Sequence, residues 1–142
     1  MDVLFLSPAY PPEMPHFLRG LVEVGARVYG VGDGPLEGME PSVRTHLYAY
    51  LQVPSMQAED EVIRRVEQWL RGRNLDRVLA NWEPLVMLAA RMRDRWGIPG
   101  MSAEVVRGFR DKQVMKERIS AAGLRVPRSA RVRTAREAWE AA

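Results

Sequence analysis

The sequence contains no cysteine. That absence excludes disulfides, thiolate catalysis and cysteine-based zinc sites. Histidine is nearly as scarce: His16 and His46 stand far apart and lack the spacing of a metal-ligating pair. No long apolar run is present either. The first, Val3 to Leu6, is far shorter than a bilayer span, and Asp2 stands where a signal peptide would carry a basic residue. These features lead to the expectation of a soluble, cytoplasmic chain with no membrane partner. Lysine is also rare. Of 21 basic residues only Lys112 and Lys116 are lysines, four apart, in a chain that otherwise uses the planar guanidinium of arginine.

What is present suffices for one domain, or for one domain and the start of another: 142 residues, 46% of them hydrophobic. The net charge of +3 conceals a split. Residues 1–106 hold 11 Lys and Arg against 14 Asp and Glu, a balance of −3, whereas residues 107–142 hold 10 against 4, a balance of +6. A basic segment suits phosphate groups or a solvated helix face. Aromatic residues interrupt this one only at Phe109 and Trp139, which disfavours general nucleic-acid binding.

Patterning along residues 1–106 alternates strand with helix. Val3–Leu6 reads as a buried strand, followed by the stiff loop Ser7-Pro8-Ala9-Tyr10-Pro11-Pro12-Glu13. Phe17, Leu18, Leu21 and Val22 mark one face of a helix that Gly25 ends. Arg27–Val31 is a second strand and His46–Val53 a third, with residues 36–45 irregular between them. Val62, Ile63, Val66, Trp69 and Leu70 mark an amphipathic helix. Arg77–Ala80 is a fourth strand; Pro84 then opens a helix that Gly97 closes. This order predicts an α/β fold, a doubly wound, mostly parallel, Rossmann-like sheet with helices on both faces.

Residues 107–142 read differently. Asp111 caps a helix with Val114, Met115, Ile119 and Ala122 on its inner face; Gly123 stops it, and Leu124–Val132 runs extended. Thr134-Ala-Arg-Glu137 is a capping box for a further helix, whose apolar stripe of Ala138, Trp139 and Ala142 meets no later element. The expectation is a second domain that is only begun.

Ligands of an open α/β sheet lie beyond the carboxyl ends of its strands. Three segments are expected there: Ser7–Glu13, Gly30–Gly34 and Asn81–Pro84. The first lacks the glycines of a dinucleotide turn. The Gly30-Val31-Gly32-Asp33-Gly34 run does not open a helix, so a turn fits it better than a dinucleotide site. Glu83, at a helix start, can bind a substrate amine or hydroxyl, or simply complement the helix dipole. Ser7 and Tyr10 can donate to a ligand, or close their own loop. Lys112, one residue after the helix cap Asp111, places an ammonium where a phosphate would be held.

The stretch RDKQVMKERISAAGLRVPR, from Arg110 to Arg128, resembles the entry into the ATP-binding domain of the ATP-grasp superfamily. There an Asp-Lys helix, an Ala-Gly stop and a Val/Thr-Pro step lead into the first strand, as in biotin carboxylase, D-alanine–D-alanine ligase and the formate-dependent glycinamide ribonucleotide transformylase. Upstream, NWEPLVMLAARMRDRWGIP is similar to the transformylase helix that opens with Pro and Glu. The resemblance implies a pre-ATP-grasp domain over 1–106 and the incomplete start of an ATP-grasp domain over 107–142. It assigns Lys112 to the ATP phosphates and Glu83 to substrate. It implies ATP and Mg²⁺ as cofactors, a small carboxylate substrate activated as an acyl phosphate, an amine or similar nucleophile, and a homodimer. The metal ligands, the second phosphate lysine and the Gly-rich loop would follow residue 142, so residues 1–142 alone are expected to be inactive. Two other readings stand beside it: the N-terminal half of a two-domain glycosyltransferase, whose opening FLSPAYPPEMPHFLRGLVEVGARVYGVG resembles apart from a missing Gly-Gly, and a non-catalytic α/β interaction module.

Overall fold

The computed structural model describes residues 1–141. The chain divides into two compact units, one ending at Ala103 and the next beginning at Glu104. In the first, four parallel strands, β1 (Asp2–Leu6), β2 (Arg27–Gly32), β3 (Ala49–Gln52) and β4 (Arg77–Leu79), form one sheet in the order β3-β2-β1-β4. Successive residues of β1 and β2 serve opposite faces. Val3, Phe5 and Val28 pack with Met14 and Leu18 of α1 (Met14–Glu23) and Val43 of α2 (Pro41–His46). Leu4, Leu6, Tyr29 and Val31 pack with Val62, Ile63 and Val66 of α3 (Glu59–Trp69) and with Leu88, Ala89 and Met92 of α4 (Val86–Trp96). Helices therefore cover both faces, which is why β1 reads as an unbroken apolar run. The fold is the doubly wound α/β layer sandwich that the patterning predicts.

The structure differs from the expected elements at several places. Residues 36–45 are not wholly irregular. Pro41 sits at the first position of α2, where its missing N–H costs nothing, and Val43 buries itself on the sheet. Pro84 lies in a single 3₁₀ turn, Glu83–Leu85, and the α-helix proper starts at Val86. Gly97, at φ 65°, closes that helix as expected.

One edge of the sheet is guarded by an arginine. β4 stands at the end of the strand order, paired with β1. The Arg93 guanidinium donates from Nη1 to the Val78 carbonyl at 2.9 Å and from Nε to the Met101 carbonyl at 3.0 Å. Gly100 permits the approach: a Cβ there would stand 2.6 Å from Arg93 Cδ, and its φ of +149° favours glycine. An edge-strand acceptor is thereby covered by side chain and loop.

The second unit is helical in its regular parts. It takes in α5 (Ala103–Arg110) from its second residue, a helix absent from the sequence reading, then α6 (Lys112–Ala121) and α7 (Ala135–Ala141). Residues 107–123 contribute helix and no strand. Asp111 caps α6 by accepting the N–H groups of Gln113 at 2.9 Å and Val114 at 3.3 Å. Thr134 Oγ1 accepts the Glu137 N–H at 3.1 Å, while the Glu137 carboxylate reaches back to the N–H of Arg133 at 2.6 Å, one residue earlier than a standard capping box. Among the described residues, no helix is long and apolar enough to cross a membrane.

Candidate functional site

Strand order reverses at β1: its chain neighbour β2 lies on one side and β4 on the other, so the crevice beyond its carboxyl end is the place where such sheets hold ligands. The chain leaves β1 through Ser7, which is buried and held at a φ of 55°. Its N–H donates to the Val31 carbonyl at 2.7 Å, continuing the β1–β2 ladder by one bond. Its hydroxyl donates to the Tyr10 carbonyl at 2.7 Å, so that proton is committed to closing the loop. The Tyr10 ring stands outward, over half exposed, and packs edge-on against Trp82 with centroids 5.0 Å apart. This aromatic contact ties the loop after β1 to the turn after β4.

Ser7 and Tyr10 line one cavity of about 370 Å³, together with Gly32, Asp33, Glu40 and Tyr50. Glu83 is exposed on the turn next to Trp82 and does not line that cavity. Of the three residues singled out for substrate, the structure brings two together and leaves the third on the adjoining turn.

The glycine run has a packing explanation. Gly30 lies opposite both Phe5 and Tyr50 in the sheet register. A Cβ at Gly30 would come within 2.8 Å of Leu47 Cδ2 and 3.1 Å of the Tyr50 ring; one at Gly32 would stand 2.7 Å from the Tyr50 hydroxyl. The two glycines leave room for a tyrosine lying across the strand end. Its hydroxyl donates to the Gly34 carbonyl at 2.7 Å. Burial first, and the charge of Asp33 second, push the Tyr50 phenol up to about 12. Tyr50 is thus a neutral hydrogen-bonding wall at any ordinary pH.

The charged side chains lining this cavity are both acidic, Asp33 and Glu40. Asp33 accepts the Met56 N–H at 3.3 Å, and Glu40 accepts the Ser42 hydroxyl at 3.3 Å. Such a lining suits a cation or a neutral hydrogen-bond donor better than an anion. Sequence reasoning placed Asp33 at this edge only as part of the Gly30–Gly34 segment, without singling it out, and missed Glu40 and Tyr50 as lining residues. The available signal was the Gly-x-Gly of β2, which requires a large partner on the adjacent strand. Among the described residues, no group of three or more His, Asp or Glu side chains is placed to hold a metal ion.

In the second unit, Lys112 is the first residue of α6 and is exposed. Asp111 beside it is held below the usual carboxylate range, first by the Val114 N–H and further by Gln113 and Arg131. Its carboxylate already occupies the positive end of the helix, and Arg131 donates to it at 3.0 Å. Lys116, one turn on, lines an open cleft of about 580 Å³ with Gln113, Val126, Pro127 and Arg128.

No protein-family model matches the chain, and no curated protein matches it. Among solved structures the chain is similar to an L-amino acid ligase from Bacillus licheniformis, with a TM-score of 0.69 and 16% identity over 89% of this chain. At that identity the likeness is one of fold. This chain spans 31% of the length of that ligase.

Proposed function

We propose that the chain is the substrate-side α/β portion of an ATP-grasp ligase together with the opening helix of its ATP-binding domain. The observation that carries this reading is the backbone likeness to an amino acid ligase over 89% of the chain, more than the first unit alone comprises. The Asp111-Lys112 helix, which resembles the entry to the ATP-grasp domain, supports it independently.

In the proposed reaction a substrate carboxylate oxygen attacks the γ-phosphorus of ATP, giving an acyl phosphate and ADP. An amine then attacks the acyl carbon and expels phosphate, losing a proton as the amide forms. Lys112 would contribute a point charge to the phosphates, and Mg²⁺, when bound, would neutralise charge on the transferred phosphoryl group. The crevice holding Ser7 and Tyr10 would orient substrate, with Glu83 at its margin. Its acidic lining favours the amine component over the carboxylate component.

The test is turnover by the product of the complete reading frame with ATP, Mg²⁺ and mixed amino acids. Release of ADP and phosphate that requires both a carboxylate and an amine is the expected result. Residues 1–142 alone should hydrolyse no ATP. Turnover of a sugar nucleotide without ATP cleavage would replace this reading with the glycosyltransferase one.

A further inference from the structure

The opposite edge of the sheet carries a larger concavity, of about 490 Å³, bordered by the C-terminal ends of α3 and α4 and the loop that enters β4. Two left-handed glycines shape it: Gly72 at φ 74° and Gly97 at φ 65° turn the chain sharply after each helix. Leu75 and Ile98 then fold back as walls, over a floor of Val66, Leu70 and Trp96. The size lies within the range of small-molecule sites.

Its charge is unbalanced. Glu67 is the carboxylate in the wall, and it is already engaged: it accepts the Trp96 indole N–H at 2.9 Å and a pair of bonds from Arg95. Arg95 first, and Trp96 second, hold its carboxyl below the usual range. Arg73 donates to the Tyr29 hydroxyl at 3.2 Å and lies over that ring at 5.7 Å, so its partners are neutral and its charge is uncompensated. Arg71 makes no hydrogen bond or ion pair among the described residues. The C-terminal end of α3 attracts cations, but that interaction leaves the guanidinium fork of Arg71 open. Asn74 adds an amide to the same rim.

We infer that this concavity binds a small monocarboxylate with an aromatic or branched apolar body, its carboxylate held by Arg71 and Asn74 and its body lying on Trp96 and Leu75. A planar fork matches a carboxylate, and the apolar floor rewards a body without charge. The site lies at the amino edge of the sheet, away from the Ser7 and Tyr10 cavity, and does not depend on the ligase reading.

The experiment is a titration of 4-phenylbutyrate into the ¹⁵N-labelled chain, followed by amide and indole N–H chemical shifts, with 4-phenylbutylamine as the control probe. Saturable shifts at the Trp96 indole and the Arg71–Leu75 amides are expected, at a Kd on the order of 1 mM. Arg71 is exposed, so Arg71→Gln should leave the remaining spectrum unchanged while weakening phenylbutyrate at least about fivefold, as loss of a charge-assisted bond would. Three outcomes overturn the inference: no shifts up to about 10 mM, equal binding of the amine, or shifts confined to the Ser7–Glu13 loop.

Discussion

Replacing Arg93 with methionine keeps the apolar stem of the side chain and removes both of its bonds across the β4 edge. The Val78 and Met101 carbonyls, 2.9 and 3.0 Å from guanidinium nitrogens, then lose their donors. The Arg93 guanidinium bonds to these two backbone carbonyls, and burial, the largest influence, lowers its pKa against the smaller opposing effect of the Asp94 charge. The loss is therefore one of hydrogen bonding and not of an ion pair. A bond from a charged donor contributes about 1.5–3 kcal/mol where it is buried and less where water can replace it. With one acceptor on the sheet and the other on an exposed loop residue, the expected cost is roughly 2–3 kcal/mol. Urea unfolding followed by tryptophan fluorescence and far-UV circular dichroism measures it. Arg95→Met, which breaks a solvent-screened pair with Glu67, is the reference and should cost clearly less. If Arg93→Met costs no more than Arg95→Met, the edge-guarding role is wrong. The variant should also self-associate more readily by size-exclusion chromatography, because a freed edge acceptor can pair with another chain.

Gly32→Ala places a methyl 2.7 Å from the Tyr50 hydroxyl and should destabilise by about 1–3 kcal/mol. In a Tyr50→Phe background most of that cost should vanish, and an unchanged cost in the double variant would refute the packing explanation. The Tyr50 phenol is raised from 10.0 to about 12 in the folded chain, so its neutral form contributes stability that is complete below pH 10. That contribution is lost as pH rises through 12. Unfolding free energies measured across this window should fall, and Tyr50→Phe should flatten the decline. In the product of the complete reading frame, Lys112→Ala should weaken ATP binding about tenfold or more, and Lys116→Ala much less. Calorimetric titration of ATP into the two variants decides this, and equal effects would remove the case for Lys112.

The doubly wound sheet was legible because its physical causes are local and repeated. β1 and β2 each serve two buried faces, so their apolar residues run without alternation, and helices such as α1 and α4 carry single apolar stripes followed by the left-handed glycines Gly25 and Gly97. α2 was not legible for the opposite reason. Its six residues include one buried side chain, Val43, and no periodic stripe can be read from one position. α5 was hidden by overlap with the expected domain boundary at residue 106, although Val106 is buried and Asp111 clearly starts the next helix.

The candidate site was legible by position and not by composition. Topology alone requires the loop after β1 to reach the ligand edge, so Ser7 and Tyr10 followed from strand order. The cavity's polarity did not. It depends on Asp33 and Glu40, which meet only because Gly30 and Gly32 admit Tyr50 across β2 and pull the following loop onto it through the Gly34 carbonyl. The same kind of gap separates the two lysines. Sequence spacing places Lys112 at a helix start, where an ammonium and a helix dipole together would attract phosphate. In the fold, Asp111 accepts two of the free N–H groups there and carries a negative charge beside the ammonium. An anion approaching Lys112 must therefore meet the side chain beyond the cap and not the helix end itself. Lys116 lies along a cleft with Arg128, where the one carboxylate in the lining, Glu117, already accepts a bond from the Gln113 amide at 2.8 Å. The comparison of Lys112→Ala with Lys116→Ala consequently weighs family spacing against local electrostatics, and the residue whose loss costs more identifies which of the two governs phosphate binding.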